Sequence, residues 1–88
     1  MVARKGDARA GAVLVKVVDR RKGEARLYSR ATRGEEGDTV WMEPVDSHEE
    51  SALDAYIERA ARFDPDLWVI EIEDTQGRHF LTEPVANR

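Results

Sequence analysis

A stretch with a proline near its start, residues 63–74, constrains the fold more than any other part of this sequence. Pro65 has no backbone N–H and disfavours helical geometry at Asp64, so a helix that approaches from the N-terminal side must end there. Residues 67–72 are rich in β-branched and aromatic side chains, which favour an extended strand. The stretch therefore predicts the end of a helix followed directly by a strand.

Alternation along this strand predicts which of its side chains enter the core. One face is uniformly apolar, and we expect it to be the core face: Trp68, Ile70 and Ile72. The other face changes from apolar to acidic along the strand: Leu67, Val69, Glu71 and Glu73. The strand is thus expected to run from a covered region towards solvent.

A hairpin is predicted in the first third of the chain. Residues 12–18 (AVLVKVV) have strand composition, and residues 21–23 (RKG) suit a three-residue loop with a left-handed glycine. This register predicts two kinds of cross-strand pair, apolar and polar: Val17 with Leu27, and Lys16 with Tyr28.

A third strand and a helix are predicted between this hairpin and Pro65. The strand covers residues 39–43, and Ser47 and Glu50 have the spacing of a capping box that begins a helix over residues 47–63. Apolar residues then recur at helical spacing, as one stripe facing the sheet: Leu53, Tyr56, Ile57, Ala60 and Phe63. The elements predict a single α+β domain over residues 1–88, with a mostly antiparallel sheet of four to five strands, one amphipathic helix on one face, and a frayed tail at residues 83–88.

Composition restricts the class of protein. The 88 residues include no cysteine, which excludes disulfides and thiolate chemistry, and no apolar run approaches the roughly 20 residues that span a bilayer. We therefore expect a soluble, cytoplasmic protein. Ten of the 14 Lys and Arg residues lie before residue 34, whereas 15 of the 18 Asp and Glu residues lie after it. Such asymmetry is typical either of an anionic partner or of basic and acidic strands that neutralise each other within one sheet.

Several segments resemble the small bacterial proteins of the family catalogued as domain of unknown function 1491. The resemblance is carried by residues 5–7 (KGD), 40–41 (VW) and 54–59 (DAYIER), and most specifically by residues 63–81. It covers most of the chain and implies a small α+β domain without an established activity, so no catalytic residue is transferred. It also implies that family members have a further segment before the position of Met1. If this chain starts at Met1, a sheet edge or an apolar strip that this segment covers in family members would be uncovered. A second copy of the chain could cover it, so a homodimer is expected.

Two candidate anion-binding regions lie in the basic part of the chain. Lys5 and Arg9 flank a glycine-containing turn whose backbone N–H groups suit an anion, although a surface turn has the same composition. The first hairpin presents cations around one aromatic side chain, as a small nucleic-acid platform does: Lys16, Arg26, Tyr28 and Arg30. A pI of about 5.2 instead favours a solvated strand face.

The acidic part of the chain offers a weaker set of candidate residues. Glu71, Glu73 and His79 have the ligand types of a divalent-metal or acid–base site, although a surface histidine–carboxylate pair is the more common use. Trp41 marks a protein interface if it is exposed and anchors the core if it is buried. No cofactor is predicted. The leading hypothesis is a non-enzymatic protein-binding module, with nucleic-acid or polyanion binding and metal-assisted catalysis as alternatives.

Overall fold

The computed structural model describes residues 1–6, 12–33 and 37–74, which form one five-stranded sheet with a helix against one face. The elements are β1 (Val2–Arg4), β2 (Val13–Asp19), β3 (Glu24–Arg33), β4 (Asp38–Met42), α1 (Glu50–Phe63) and β5 (Trp68–Glu73). The strand order is β1-β5-β2-β3-β4, and every neighbouring pair is antiparallel except β2 and β5. The predicted α+β class, with a mostly antiparallel sheet and one helix, is confirmed.

Helix α1 carries the chain across the sheet, from edge strand β4 to β5 beside the central strand β2. The chain leaves β4 at one edge, passes through α1, and enters β5 parallel to β2. The predicted termination at Pro65 is confirmed, because α1 ends at Phe63 and the Asp64 N–H donates to the Ala60 carbonyl oxygen at 2.9 Å. No helix in the described ranges is long and apolar enough to cross a membrane.

Both faces of the sheet bury side chains. The face covered by α1 holds the larger cluster: Leu14, Val18, Ala25, Leu27, Leu53, Leu67 and Val69. The opposite face holds a second cluster: Val15, Val17, Tyr28 and Trp41. The predicted core face of the last strand is only partly right. Ile70 and Ile72 pack against the second cluster, but the fully buried residues Leu67 and Val69 lie under α1. Trp68, Ile70 and Ile72 are half-buried on the other face.

The predicted register of the first hairpin is wrong by one residue. Asp19 pairs with Glu24, which makes a four-residue loop, and Gly23 has the expected positive φ of 67°. Asp19 closes this loop, because its Oδ1 accepts hydrogen bonds from the N–H groups of Arg21 at 3.0 Å and Lys22 at 3.3 Å. Since a one-residue shift exchanges the two faces of a strand, Lys16 pairs with Leu27 and not with Tyr28.

The ends of α1 also differ from the predicted pattern. The N-cap is Glu49 without a side-chain cap, and Ser47 Oγ instead accepts a hydrogen bond from the Glu49 N–H at 3.1 Å. The predicted capping box is wrong because Glu50 directs its carboxylate towards Lys16 of β2 and Arg20 of the β2–β3 loop. Phe63 is 90% exposed rather than packed. It is the last helical residue and is rotated about 80° from Leu53 at 100° per residue, at the margin of the apolar stripe.

Candidate functional site

A buried lysine joins three elements on the helix-covered face. The Lys16 side chain on β2 is only 9% exposed, and its Nζ lies 2.9 Å from Glu50 Oε2, 2.8 Å from Asp54 Oδ1 and 3.0 Å from Glu71 Oε1. Glu50 and Asp54 belong to α1, whereas Glu71 belongs to β5. An ammonium group has three hydrogens, so three acceptors match its hydrogen-bonding capacity.

Arg20 extends this charge cluster towards solvent. Its Nε lies 2.8 Å from Glu73 Oε1, and its Nη1 lies 3.2 Å from Glu50 Oε1. The Arg20 side chain is 53% exposed, so the outer part of the cluster is solvated while the inner part is not. Basic residues of the first hairpin thus neutralise acidic residues of α1 and β5. Such local neutralisation is one of the two explanations of the charge asymmetry given above.

Lys16 and Glu50 both keep their charge at neutral pH. Burial alone lowers the pKa of the Lys16 ammonium, but its hydrogen bonds to Asp54, Glu50 and Glu71 outweigh burial and raise that pKa above its usual value. The hydrogen bond from Lys16 likewise lowers the pKa of the Glu50 carboxyl, although burial opposes this change. General acid–base catalysis requires a pKa near the working pH. The shifts of Lys16 and Glu50 move both pKa values further from neutral pH and favour a structural role for these two residues.

The structure separates the residues of the predicted nucleic-acid platform. Lys16 lies on the face covered by α1, whereas Arg26, Tyr28 and Arg30 lie on the opposite face. Arg26 and Arg30 are exposed, but Tyr28 is only 5% exposed, so its ring offers little surface for stacking on a base. The polyanion role of these residues stays a prediction.

The remaining candidate residues are only partly described. Lys5 is exposed, and Arg9 lies outside the described residues, so the predicted glycine-turn site stays a prediction. Glu71 and Glu73 share the helix-covered face of β5, where they contact Lys16 and Arg20. In the described part of the chain, no group of three or more His, Asp or Glu residues is arranged to hold a metal ion. His79 lies outside that part, so the predicted set of Glu71, Glu73 and His79 stays a prediction.

The two edges of the sheet differ in how they are protected against pairing with another strand. Edge strand β1 has three residues and a register irregularity between Val2 and Arg4, and Arg4 Nη1 donates to the Leu67 carbonyl oxygen at 2.8 Å. Edge strand β4 has five residues in continuous register with β3. It contains no proline and no bulge, two of the usual devices that block an edge, and its one charged residue is Asp38 at its start.

Side chains on both faces anchor β4 while its end is exposed. Val40 is 2% exposed, and Trp41 is 5% exposed within the second core cluster, so the expectation of a core anchor fits Trp41. Met42 is 43% exposed. Sequence reasoning missed Met42, although a methionine shortly before Pro44 at the end of a strand was a usable signal. It also missed the role of Lys16, whose position inside the apolar run of residues 12–18 indicated a buried partner.

Comparison with known proteins gives a family and a fold but no activity. The model of the family "Protein of unknown function (DUF1491)" matches residues 1–82. The crystal structure of a DUF1491 family protein from Caulobacter crescentus CB15 is 72% identical over 98% of this chain and 79% of that chain, with a TM-score of 0.93. The NMR structure of a DUF1491 family protein from the same organism is 71% identical over 99% of this chain and 78% of that chain, with a TM-score of 0.88.

A more distant relative has the same fold. The solution structure of protein Atu0922 from A. tumefaciens is 29% identical over 100% of this chain and 80% of that chain, with a TM-score of 0.77. Among curated proteins, none is significantly similar to this chain.

Proposed function

We propose that this chain, which belongs to the DUF1491 family, is a non-enzymatic protein-binding module that pairs β4 with an extended segment of a partner protein. The observation that carries the proposal is the difference between the two sheet edges. An edge strand presents N–H and C=O groups that a further strand can bind, and many recognition domains use an edge in this way. Within residues 1–6, 12–33 and 37–74, β3 is the only strand paired with β4.

The edge is formed before any partner arrives. Val40 and Trp41 are buried, and β4 keeps one register with β3 over all five residues. Five residues correspond to about 17 Å of strand, which is an ordinary length for strand pairing. A preformed edge avoids the cost of ordering the receptor on binding, so that backbone hydrogen bonds contribute more of their free energy to affinity.

Site-specific photo-crosslinking tests the proposal. The exposed Met42 is replaced by p-benzoylphenylalanine, the protein is irradiated in lysate of its source organism, and linked proteins are identified by mass spectrometry. The matched control places the same group at Arg59, which is exposed on α1. We expect a protein linked at position 42 and not at position 59. No linked protein at position 42, or the same proteins at both positions, would overturn the proposal.

Two further treatments identify the class of partner. Nuclease treatment before irradiation should leave the crosslink at position 42 intact, and its loss would favour nucleic-acid binding through Arg26 and Arg30. A second copy of the chain is itself a partner protein. Light scattering over a range of concentrations tests that case, since a monomer at high concentration would exclude it.

A further inference from the structure

We propose that the segment that pairs with β4 carries an acidic residue facing Arg30 and an apolar residue next to it facing Met42. This inference rests on the proposed function and names the chemistry of the partner. Three observations carry it: the exposed Arg30 beside β4, the exposed Met42 on the other face, and the alternation of side chains that links them.

Arg30 lies one strand inward from the open edge. It pairs with Trp41, and its side chain is exposed on the face that α1 does not cover. Across the described ranges, no hydrogen bond or ion pair ties the Arg30 side chain to another residue. A strand added beyond β4 would lie about 10 Å from β3, a distance that an arginine and a glutamate side chain together span. A guanidinium group binds a carboxylate in a bidentate geometry.

Met42 presents an apolar surface on the other face of the same edge. It pairs with Ser29 and follows Trp41, so its side chain lies on the face opposite that of Trp41 and Arg30. Its exposed fraction of 43% leaves apolar area for a partner side chain to remove from water. Neighbouring residues of a paired strand point to opposite faces, so the acidic and apolar residues of the partner are adjacent in its sequence.

Arg30, rather than the charged residues that follow β4, selects the charge of the partner residue. Glu43 follows the strand, but Arg26 Nη1 lies 3.5 Å and His48 Nε2 lies 3.7 Å from its Oε1. The glutamate therefore already has basic neighbours. A basic residue on the partner strand would instead lie within reach of the Arg30 guanidinium, and like charges repel each other at that distance.

Three synthetic peptides test the inference. Each has the sequence Ac-VTVXVTV-amide, which alternates valine on the Met42 face with polar residues on the Arg30 face, and X is Glu, Gln or Lys. Binding is measured by chemical shift changes of ¹⁵N-labelled protein, which we expect at residues 39–42. An exposed ion pair at this position should make the Glu peptide bind about threefold more tightly than the Gln peptide, and the Lys peptide should bind least tightly.

Charge reversal provides the decisive control. Arg30→Glu should invert the order of the Glu and Lys peptides, whereas Arg59→Glu, the same change at an exposed position on α1, should leave it unaltered. Equal affinities for the three peptides, an unaltered order in Arg30→Glu, or no binding of any peptide would overturn the inference. A specific crosslink at position 42 would still support the proposed function in each of those cases, so the two failures are distinguishable.

Discussion

Replacement of Lys16 by methionine tests the role of the charge cluster most severely. Methionine keeps most of the length of the side chain but removes the ammonium group that three carboxylates share. Glu50, Asp54 and Glu71 would then be left close to one another without their common cation. We therefore expect Lys16→Met to destabilise the fold strongly.

The magnitude follows from the burial of each partner. Removal of one member of a buried ion pair costs about 3–5 kcal/mol, because the remaining charge is left without compensation. The Glu71 side chain is 14% exposed, whereas those of Glu50 and Asp54 are 32% and 52% exposed and regain water more easily. The cost should therefore lie near the lower limit, at about 3 kcal/mol. For a domain of this size, that change lowers the melting temperature by about 12–24 °C.

Thermal and urea unfolding, followed by circular dichroism, measure this change. The matched control is Lys22→Met, which makes the same replacement at an exposed lysine in the β2–β3 loop. It should change the free energy of unfolding by less than about 0.5 kcal/mol. If Lys16→Met were as stable as Lys22→Met, the charge cluster would contribute no net stability and the assigned role of Lys16 would be refuted.

Three further changes test other parts of the fold. Gly6→Ala should destabilise by about 1–3 kcal/mol in urea unfolding, because its Cβ would collide with the Asp66 carbonyl oxygen; wild-type stability would contradict this close approach. Phe63→Ala should change the free energy of unfolding by less than about 0.5 kcal/mol, whereas Leu53→Ala, at a fully buried position, should cost about 2–5 kcal/mol; equal losses would contradict the placement of α1. The pKa of Glu50 is lower in the folded state than its ordinary value of 4.5, so its contribution to stability is present above that pH and lost as the pH falls through the folded pKa. Glu50→Gln should therefore be less stable than wild type in urea unfolding at pH 7, and the difference should shrink as the pH falls below 4.5; a constant difference would contradict the ion pair.

Much of the fold could be predicted from local sequence signals. Pro65 predicted the end of α1 because a missing N–H and a restricted preceding residue act locally. Apolar spacing predicted the packing of Leu53 against the sheet for the same reason. These signals depend only on residues close in sequence.

The errors came from local sequence patterns that fit more than one structure. A three-residue and a four-residue loop both fit the sequence around Gly23, and the hydrogen bonds accepted by Asp19 select the longer loop. Glu50 fitted a capping box, but Lys16 and Arg20, distant in sequence, bind its carboxylate. The candidate site was affected in the same way, because the one-residue shift moved Lys16 away from Tyr28. Trp41 fitted either an interface or the core, and tertiary packing buries its ring.

Amide hydrogen exchange along β4 in the isolated protein measures whether this edge of the sheet is open. In an edge strand, alternate N–H groups bind the neighbouring strand and the others point outward to water. An open edge predicts that within Asp38–Met42 protected and rapidly exchanging amides alternate, while amides of the central strand β2 are protected on both sides. Uniform protection of every β4 amide, at a concentration where light scattering shows a monomer, would mean that the edge is already covered and cannot accept a partner strand.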